Sequence, residues 1–304
     1  MTPDSTMLGK ILDRPRKARW QGRPINWSGY AFIAPFFVPF FIFTVGAILF
    51  GVYVSFTDWR IVGQTQWIGF KNYSDAFADP MVLKAFWNTL RYGLVIVPSV
   101  TILGFIFAVF VNQKWPGYVF ARFAFYAPNV VSATVIGLVW VWMLDTQYGI
   151  VNQYLGITIP WLTSTQWAYL GVSLASIWWD LGLAFVLFLA GLQEIDSEVR
   201  EAAIVDGANR LQVMLRIILP MMRPTISMVI TLQLISTMRI FSQIYVMTNG
   251  NPAGASTSVI HYIFTNGIQK FKMGYSSAIS LMLFGVILLV TIIQLRFVKE
   301  NSYQ

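Results

Sequence analysis

Hydrophobic residues fall into six long runs separated by polar connections, near Ala31–Phe56, Gly93–Asn112, Phe123–Leu144, Tyr169–Leu192, Pro224–Met247 and Ser276–Leu295. Each run, wound as a helix, is long enough to cross about 30 Å of hydrocarbon. The pattern predicts an all-α polytopic membrane protein with six transmembrane helices. Prolines interrupt three runs: Pro35 and Pro39 in the first, Pro98 in the second, Pro128 in the third. Membrane helices tolerate prolines where neighbours re-satisfy the freed carbonyls. The first run follows a basic tail and lacks a small-residue cleavage site, so it reads as a retained span rather than a cleaved leader. Within that tail, Met7–Leu12 reads as a short interfacial helix. We divide the chain into a basic tail over 1–30, one transmembrane domain over 31–298 and a tail over 299–304.

Between the fourth and fifth runs, over 194–223, lies a charged, helix-forming island. Asp196 is placed to cap a helix over Ser197–Asp206, and Glu198 favours its positive end. Gly207 suits the left-handed residue that stops it. Leu211, Met214, Leu215 and Ile218 recur at helical spacing and give a second helix one apolar face. Pro220 and Pro224 end that helix and launch the fifth span. The product is a helix–turn–helix bracket at one membrane face.

Charge orients the spans. Of the 21 Lys and Arg, fourteen lie in the two tails, the second connection and the island, and five lie on the opposite side. Basic residues favour the cytoplasmic side, so both termini and the island are expected there. Charged residues are only 11% of the chain against about 25% in soluble domains. There is no Cys and a single His, His261, so thiol nucleophiles and His or Cys metal sites are not expected. No G-x-x-x-x-G-K-[ST] loop occurs. We expect no catalytic residues, no metal, no nucleic acid partner and no enzyme; membrane lipid is the surrounding solvent.

Polar groups inside spans are costly and are functional candidates by default. The third span offers Asn129 and Ser132, the fourth Ser176, Trp178, Trp179 and Asp180, the fifth Gln233, Ser236, Thr237 and Arg239. Ser280, in the sixth, is weaker. Each also has a plainer use: Asn129 beside Pro128 could bond freed carbonyls, the small hydroxyls could serve helix packing, and Arg239 could snorkel to headgroups. Asp180, near mid-span, has no such escape, and a pairing with Arg239 is expected. Arg91 reads as an interfacial anchor and His261 as structural. The turn Thr248-Asn249-Gly250-Asn251-Pro252 reads as shaped rather than loose. An ion-gradient-driven secondary transporter usually has more spans and paired intramembrane carboxylates. A non-transporting scaffold would leave the polar span residues unexplained.

The island also carries a resemblance. Glu201-Ala202-Ala203, then Gly207, then Ile217-Ile218-Leu219-Pro220 resembles the coupling-helix motif of ATP-binding-cassette (ABC) importer permeases. Trp87-Asn88-Thr89-Leu90, Trp178-Trp179-Asp180, Leu189–Gln193, the turn ending in Asn251-Pro252 and Met273-Gly274-Tyr275 are similar to the sugar subgroup, so the likeness runs from about Phe36 to Leu295. The resemblance implies a type I importer permease working with a second homologous permease, two cytoplasmic ATPase subunits and an extracytoplasmic solute-binding protein. ATP and magnesium would bind the ATPases, leaving this chain without a cofactor. Glu201, Ala202, Ala203, Asp206, Gly207, Leu219 and Pro220 would form the ATPase-coupling element. Asn129, Ser132 and the polar residues of the fourth and fifth spans would contact a carbohydrate. Thr248–Pro252 would meet the binding protein. Glycerol 3-phosphate or another anionic solute is the alternative cargo. Two positions depart from the family pattern: Ser242 follows Phe241 where an acidic residue is common, and Asn251 replaces a glycine.

Overall fold

In a computed structural model of the chain, residues 27–59, 65–113 and 115–300 are described. The stretch 1–26, with Met7–Leu12, and residues 301–304 lie outside them. Among the described residues the regular elements are helical, apart from one isolated antiparallel bridge between Thr57 and Trp67.

The chain divides into two compact units that meet in sequence at Phe50 and Gly51. The first holds α1 (Trp27–Phe40), a π-helical turn over Phe41–Val45 and the start of α2 (Gly46–Ser55). Pro35 and Pro39 sit inside α1 and have no N–H to donate. Directly after them the helix widens, with the Gly46 N–H bonded to the Phe41 carbonyl. Phe36, Phe37, Phe40 and Phe41 pack ring on ring with centroids 5.5 to 6.4 Å apart.

The second unit continues with α3 (Lys71–Ala78), α4 (Pro80–Asn112), α5 (Tyr118–Val130), α6 (Ala133–Met143), α7 (Ile150–Leu155) and α8 (Ala168–Glu194). A polar pair follows, α9 (Ser197–Val205) and α10 (Arg210–Val213), the latter prolonged by a π-helical turn over Met214–Ile218 into α11 (Leu219–Met221). Then come α12 (Arg223–Met238), α13 (Ser242–Met247), α14 (Val259–Phe264), a further π-helical turn over Thr265–Gln269 and α15 (Met273–Glu300). Helices α4 and α8 make the most extensive contact, and α5 and α12 pack beside them. Tyr92, Ile96 and Val100 of α4 and Phe185 and Phe188 of α8 are buried in this core. A smaller core joins Ala76, Val82, Ala85, Val259, Ile279 and Leu283.

Four helices are long and apolar enough to span a membrane unbroken: Phe32–Ser55, Pro80–Asn112, Ala168–Glu194 and Met273–Arg296. Counting two bent pairs as one span each gives six. Three of the expected spans change shape. The second begins at Pro80, not Gly93, because Asp79 caps α4 by accepting the Met81 N–H at 2.9 Å and Pro80 takes the first turn. Lys84, Asn88 and Arg91 had kept that first stretch outside the hydrophobic run. The third span is two helices bent by 102° at Val131–Ser132, three residues past Pro128. The fifth run ends as a helix at Met238, unwinds over Arg239–Phe241 and restarts as α13.

Candidate functional site

A cavity of about 390 Å³ opens where the break between α5 and α6, the middle of α8 and the unwound stretch after α12 come together. Its position follows from how the breaks are braced. Val131 is extended, so its carbonyl leaves the helical ladder and accepts the Trp179 indole N–H at 2.9 Å. Asn129 returns the bond, its amide donating to the Trp179 carbonyl at 3.2 Å. The backbones can approach because Gly182 lies one turn on: a Cβ there would stand 3.0 Å from that of Asn129 and 3.1 Å from the Phe125 carbonyl. Ser132 caps α6, its hydroxyl accepting the Val135 N–H at 3.4 Å. In the second break the Ile240 carbonyl accepts the Ser258 hydroxyl at 2.7 Å. Every break is thus held by a side chain from another segment, as membrane-embedded irregular backbone requires.

Six of the ten span candidates line this cavity: Ser176, Trp179, Asp180, Ser236, Thr237 and Arg239. Four lie outside it. Asn129 and Ser132 brace the α5–α6 break, so Asn129 bonds a carbonyl of α8 rather than one freed by Pro128. Trp178 points to the other side of α8, edge to face with Trp140 at 6.1 Å. Gln233 is buried one turn below Thr237. Ser280 bonds the Ser276 carbonyl of its own helix. The expected ion pair is not formed: Asp180 and Arg239 share the cavity wall, yet neither side chain has an ion-pair or hydrogen-bond partner among the described residues. Thr237, only 2% exposed, also has an unpartnered hydroxyl. Ser242 and Gln243, which sequence reasoning missed, complete the wall at the start of α13.

The bracket is well determined locally. Asp196 occupies the N-cap of α9 but makes no side-chain cap bond. Gly207 follows with φ +86°. The Ala208 N–H bonds the Ala203 carbonyl at 2.9 Å and the Gly207 N–H bonds that of Ile204 at 3.0 Å, the two bonds of a Schellman turn. Asn209 and Gln212 then form a reciprocal capping box, both bonds 2.8 Å, which starts α10. The apolar face of the second helix departs from expectation. Val213 and Ile218 are buried while Leu211 and Leu215 are exposed; a π-helical turn over Met214–Ile218 shifts the register beyond Val213, and Leu211 stands ahead of it in the first turn of α10. On α9, Ala203 packs into the core. Ala202, Glu201, Asp206 and Gly207 are exposed, Val205 is 87% exposed, and Leu219 and Pro220 are half-buried.

The opposite end of α4 holds the Thr248–Pro252 turn. Asn88 donates to the carbonyls of Gly254 and Thr257 at 3.0 and 3.1 Å. Lys84 bonds that of Ala253 at 2.7 Å, Tyr92 that of Ser256 at 3.0 Å, and Thr89 accepts the Val259 N–H at 3.0 Å. His261 bonds Asn249 at 3.1 Å across the turn. Its burial lowers its pKa below 6.5. Asp79 ties three helices together here, accepting the hydroxyls of Tyr262 at 2.6 Å and Tyr275 at 2.8 Å. Burial raises the Asp79 pKa, but the bonds from Tyr262, the Met81 amide and Tyr275 outweigh it, and the carboxyl is held below its ordinary range. Burial and that same bond push the Tyr262 hydroxyl up to about 12. Arg91 lies over the Tyr169 ring, 3.9 Å from its centroid. Beside the far end of α4, Asn112 and Gln113 line a cavity shared with Arg200 and Arg210 of the bracket. Turn and bracket therefore sit toward opposite ends of a 33-residue helix, with roughly 36 Å of its axis between Asn88 and Asn112.

Comparison with known proteins follows this geometry. Among solved structures, the chain superposes on a subunit of a bacterial ABC transporter involved in the import of the acidic polysaccharide alginate, with a TM-score of 0.80, 23% identity and coverage of 90% of this chain and 96% of that one. It also shares a fold, at TM-score 0.55 and 16% identity over 73% of this chain and 96% of that one, with the MetNI methionine ABC transporter in an inward-facing conformation. In sequence it is 31% identical to the probable ABC transporter permease protein YesP of Bacillus subtilis, over 98% of this chain and 97% of the relative. It is 29% identical to the sulfoquinovosyl glycerol transport system permease protein SmoG of Agrobacterium fabrum, over 99% and 100%. The multiple sugar-binding transport system permease protein MsmF of Streptococcus mutans is 31% identical over 82% and 88%. Residues 100–302 match the family described as binding-protein-dependent transport system inner membrane component, and the chain belongs to that family of ABC importer permeases.

Proposed function

We propose that this chain is one of two permease subunits of an importer for carbohydrate, driven by ATP hydrolysis on two partner ATPases and supplied by an extracytoplasmic binding protein. The single observation that carries the reading is the cavity at the convergence of the helix breaks. It sets Trp179 beside hydroxyl, amide and charged side chains, the combination that recognises a sugar's C–H faces and hydroxyls. The names of MsmF and SmoG support the same cargo class.

The bracket supplies the coupling. Val205, Ile204 and Leu211 expose large apolar surface around Gly207, on a polar element whose internal bonds are already satisfied. Such a patch fits a groove on a soluble partner, with Glu201 beside it to pair with a basic residue. We place the bracket and both termini in the cytoplasm on the basic asymmetry, and the Thr248–Pro252 turn on the side where the binding protein delivers solute. Alternating access then follows from a rigid bracket moved by ATPase closure. The test is uptake of labelled oligosaccharides by the assembly reconstituted in liposomes, with ATP supplied on the bracket side. Glu201→Lys should abolish uptake and ATPase recovery while leaving insertion normal. Normal uptake in that variant would remove the coupling role, and uptake driven by an ion gradient without ATP would remove the reading as a whole.

A further inference from the structure

The cavity wall carries more than a neutral sugar demands. Arg239 is exposed to the cavity, and its guanidinium has no partner among the described residues. It stands at the C-cap of α12, where the chain unwinds, and lines the cavity together with Ser176 and Asp180. Thr237, two residues before it, is 2% exposed; the residue borders the same cavity, and its hydroxyl is buried without a partner. Trp179 presents its ring only, since its indole N–H is spent on Val131. An arginine embedded in a membrane protein is costly, and a buried hydroxyl left without a bond costs about 1–3 kcal/mol.

Resting on the carbohydrate reading above, we infer that the cargo is an acidic sugar whose anionic group is held by Arg239, with a ring hydroxyl on Asp180. The chemistry of the two charges separates the roles. A carboxylate only accepts, so Asp180 suits a hydroxyl that donates. A guanidinium only donates, in a planar fork that matches carboxylate, sulfonate or phosphate oxygens two at a time. Had the two residues paired, the fork would be occupied; unpaired among the described residues, it offers an anion seat and Asp180 a hydroxyl seat. The anionic headgroup of a lipid carries the same chemistry but lacks the sugar-ring hydroxyls that would bond Asp180.

The wild-type chain has no Cys, which permits a local readout. Ser236→Cys places a thiol on the cavity wall, and Ser242→Cys serves if that variant assembles poorly. The full chain, purified with its co-assembling subunits in phosphatidylcholine nanodiscs, is labelled with a small thiol reagent at constant ionic strength. The probes are D-glucuronate and D-glucose, which differ only at the sixth carbon. Glucuronate should half-protect the thiol at a roughly tenfold lower concentration. Arg239→Gln should bring the two probes to parity while glucose protection persists, and Arg239→Lys should fall between. Adding phosphatidylglycerol should leave the preference intact. Equal protection by both probes, or a glucuronate advantage that survives Arg239→Gln, would overturn the acidic cargo and leave the carbohydrate reading standing. Loss of the preference in phosphatidylglycerol would give the seat to a lipid headgroup. Protection by neither probe would count against both readings.

Discussion

Gly207 separates what the chain itself needs from what a partner needs. Its φ of +86° lies in the left-handed region, and an added Cβ would find nothing within 4 Å. Any intolerance within the chain is therefore backbone strain and not a clash. Left-handed conformation costs most L-residues about 1–2 kcal/mol, while Asn enters it readily. Gly207→Asn should thus destabilise the purified chain by less than about 1 kcal/mol, and Gly207→Val by about 2 kcal/mol. The Schellman bonds from Ala208 and Gly207 survive both changes, since they use main-chain atoms only. If a partner ATPase seats on the exposed surface around the turn, the Asn side chain projects into the seat. The paired assays are thermal melting of the chain alone and recovery of the ATPase in co-purification. The expected pattern for Gly207→Asn is a near-normal melt with ATPase recovery and uptake largely lost. Normal recovery and normal uptake would show that the turn is not seated. A melt as depressed as that of Gly207→Val would refute the backbone reasoning.

Two further outcomes are expected at the opposite end of α4. Asn88→Ala strands the carbonyls of Gly254 and Thr257, so local opening of residues 254–257 should become easier by about 2–4 kcal/mol, read by amide exchange; unchanged protection would remove the clamp. His261 has its pKa lowered by burial, so the folded turn binds fewer protons than the unfolded one. Its stabilisation is complete above about 6.5 and is lost as pH falls below that value through the folded pKa. Exchange protection of the Asn249–Asn251 turn, corrected for intrinsic rates, should therefore drop from pH 7 to pH 5, and His261→Gln should flatten the profile; protection that rises on acidification would contradict it.

How much of this was legible in the sequence depends on the range of the forces involved. The first helix of the bracket was readable because its signals are local: an N-cap position at Asp196 and a glycine at 207 suited to a left-handed stop. In the second, the capping box of Asn209 and Gln212, three residues apart, was visible in principle and went unread, and the π-helical turn that shifts the register leaves no composition signal. The distal turn was legible as shaped, but not its clamp. Asn88 and Thr89 find their partners 166 to 170 positions away, a distance that hydropathy and turn propensity do not see.

The cavity lies between these extremes. Its residue types were legible, since charged and hydroxyl groups inside hydrophobic runs are conspicuous. Its geometry was hidden, because a hydropathy run does not report whether the helix through it is continuous. Pro128 flagged the first break; nothing comparable marks the second, since Arg239, Ile240 and Phe241 include neither proline nor glycine. An unwound stretch inside a membrane survives only where its freed backbone groups are bonded and where it faces protein or a polar space. The Trp179 bond to Val131, the Asn129 bond to Trp179 and the Ser258 bond to Ile240 meet the first condition. The cavity meets the second. Breaks and cavity are therefore one feature: five consecutive residues, Arg239 to Gln243, line the cavity, and an unbroken helix would have spread them around its circumference.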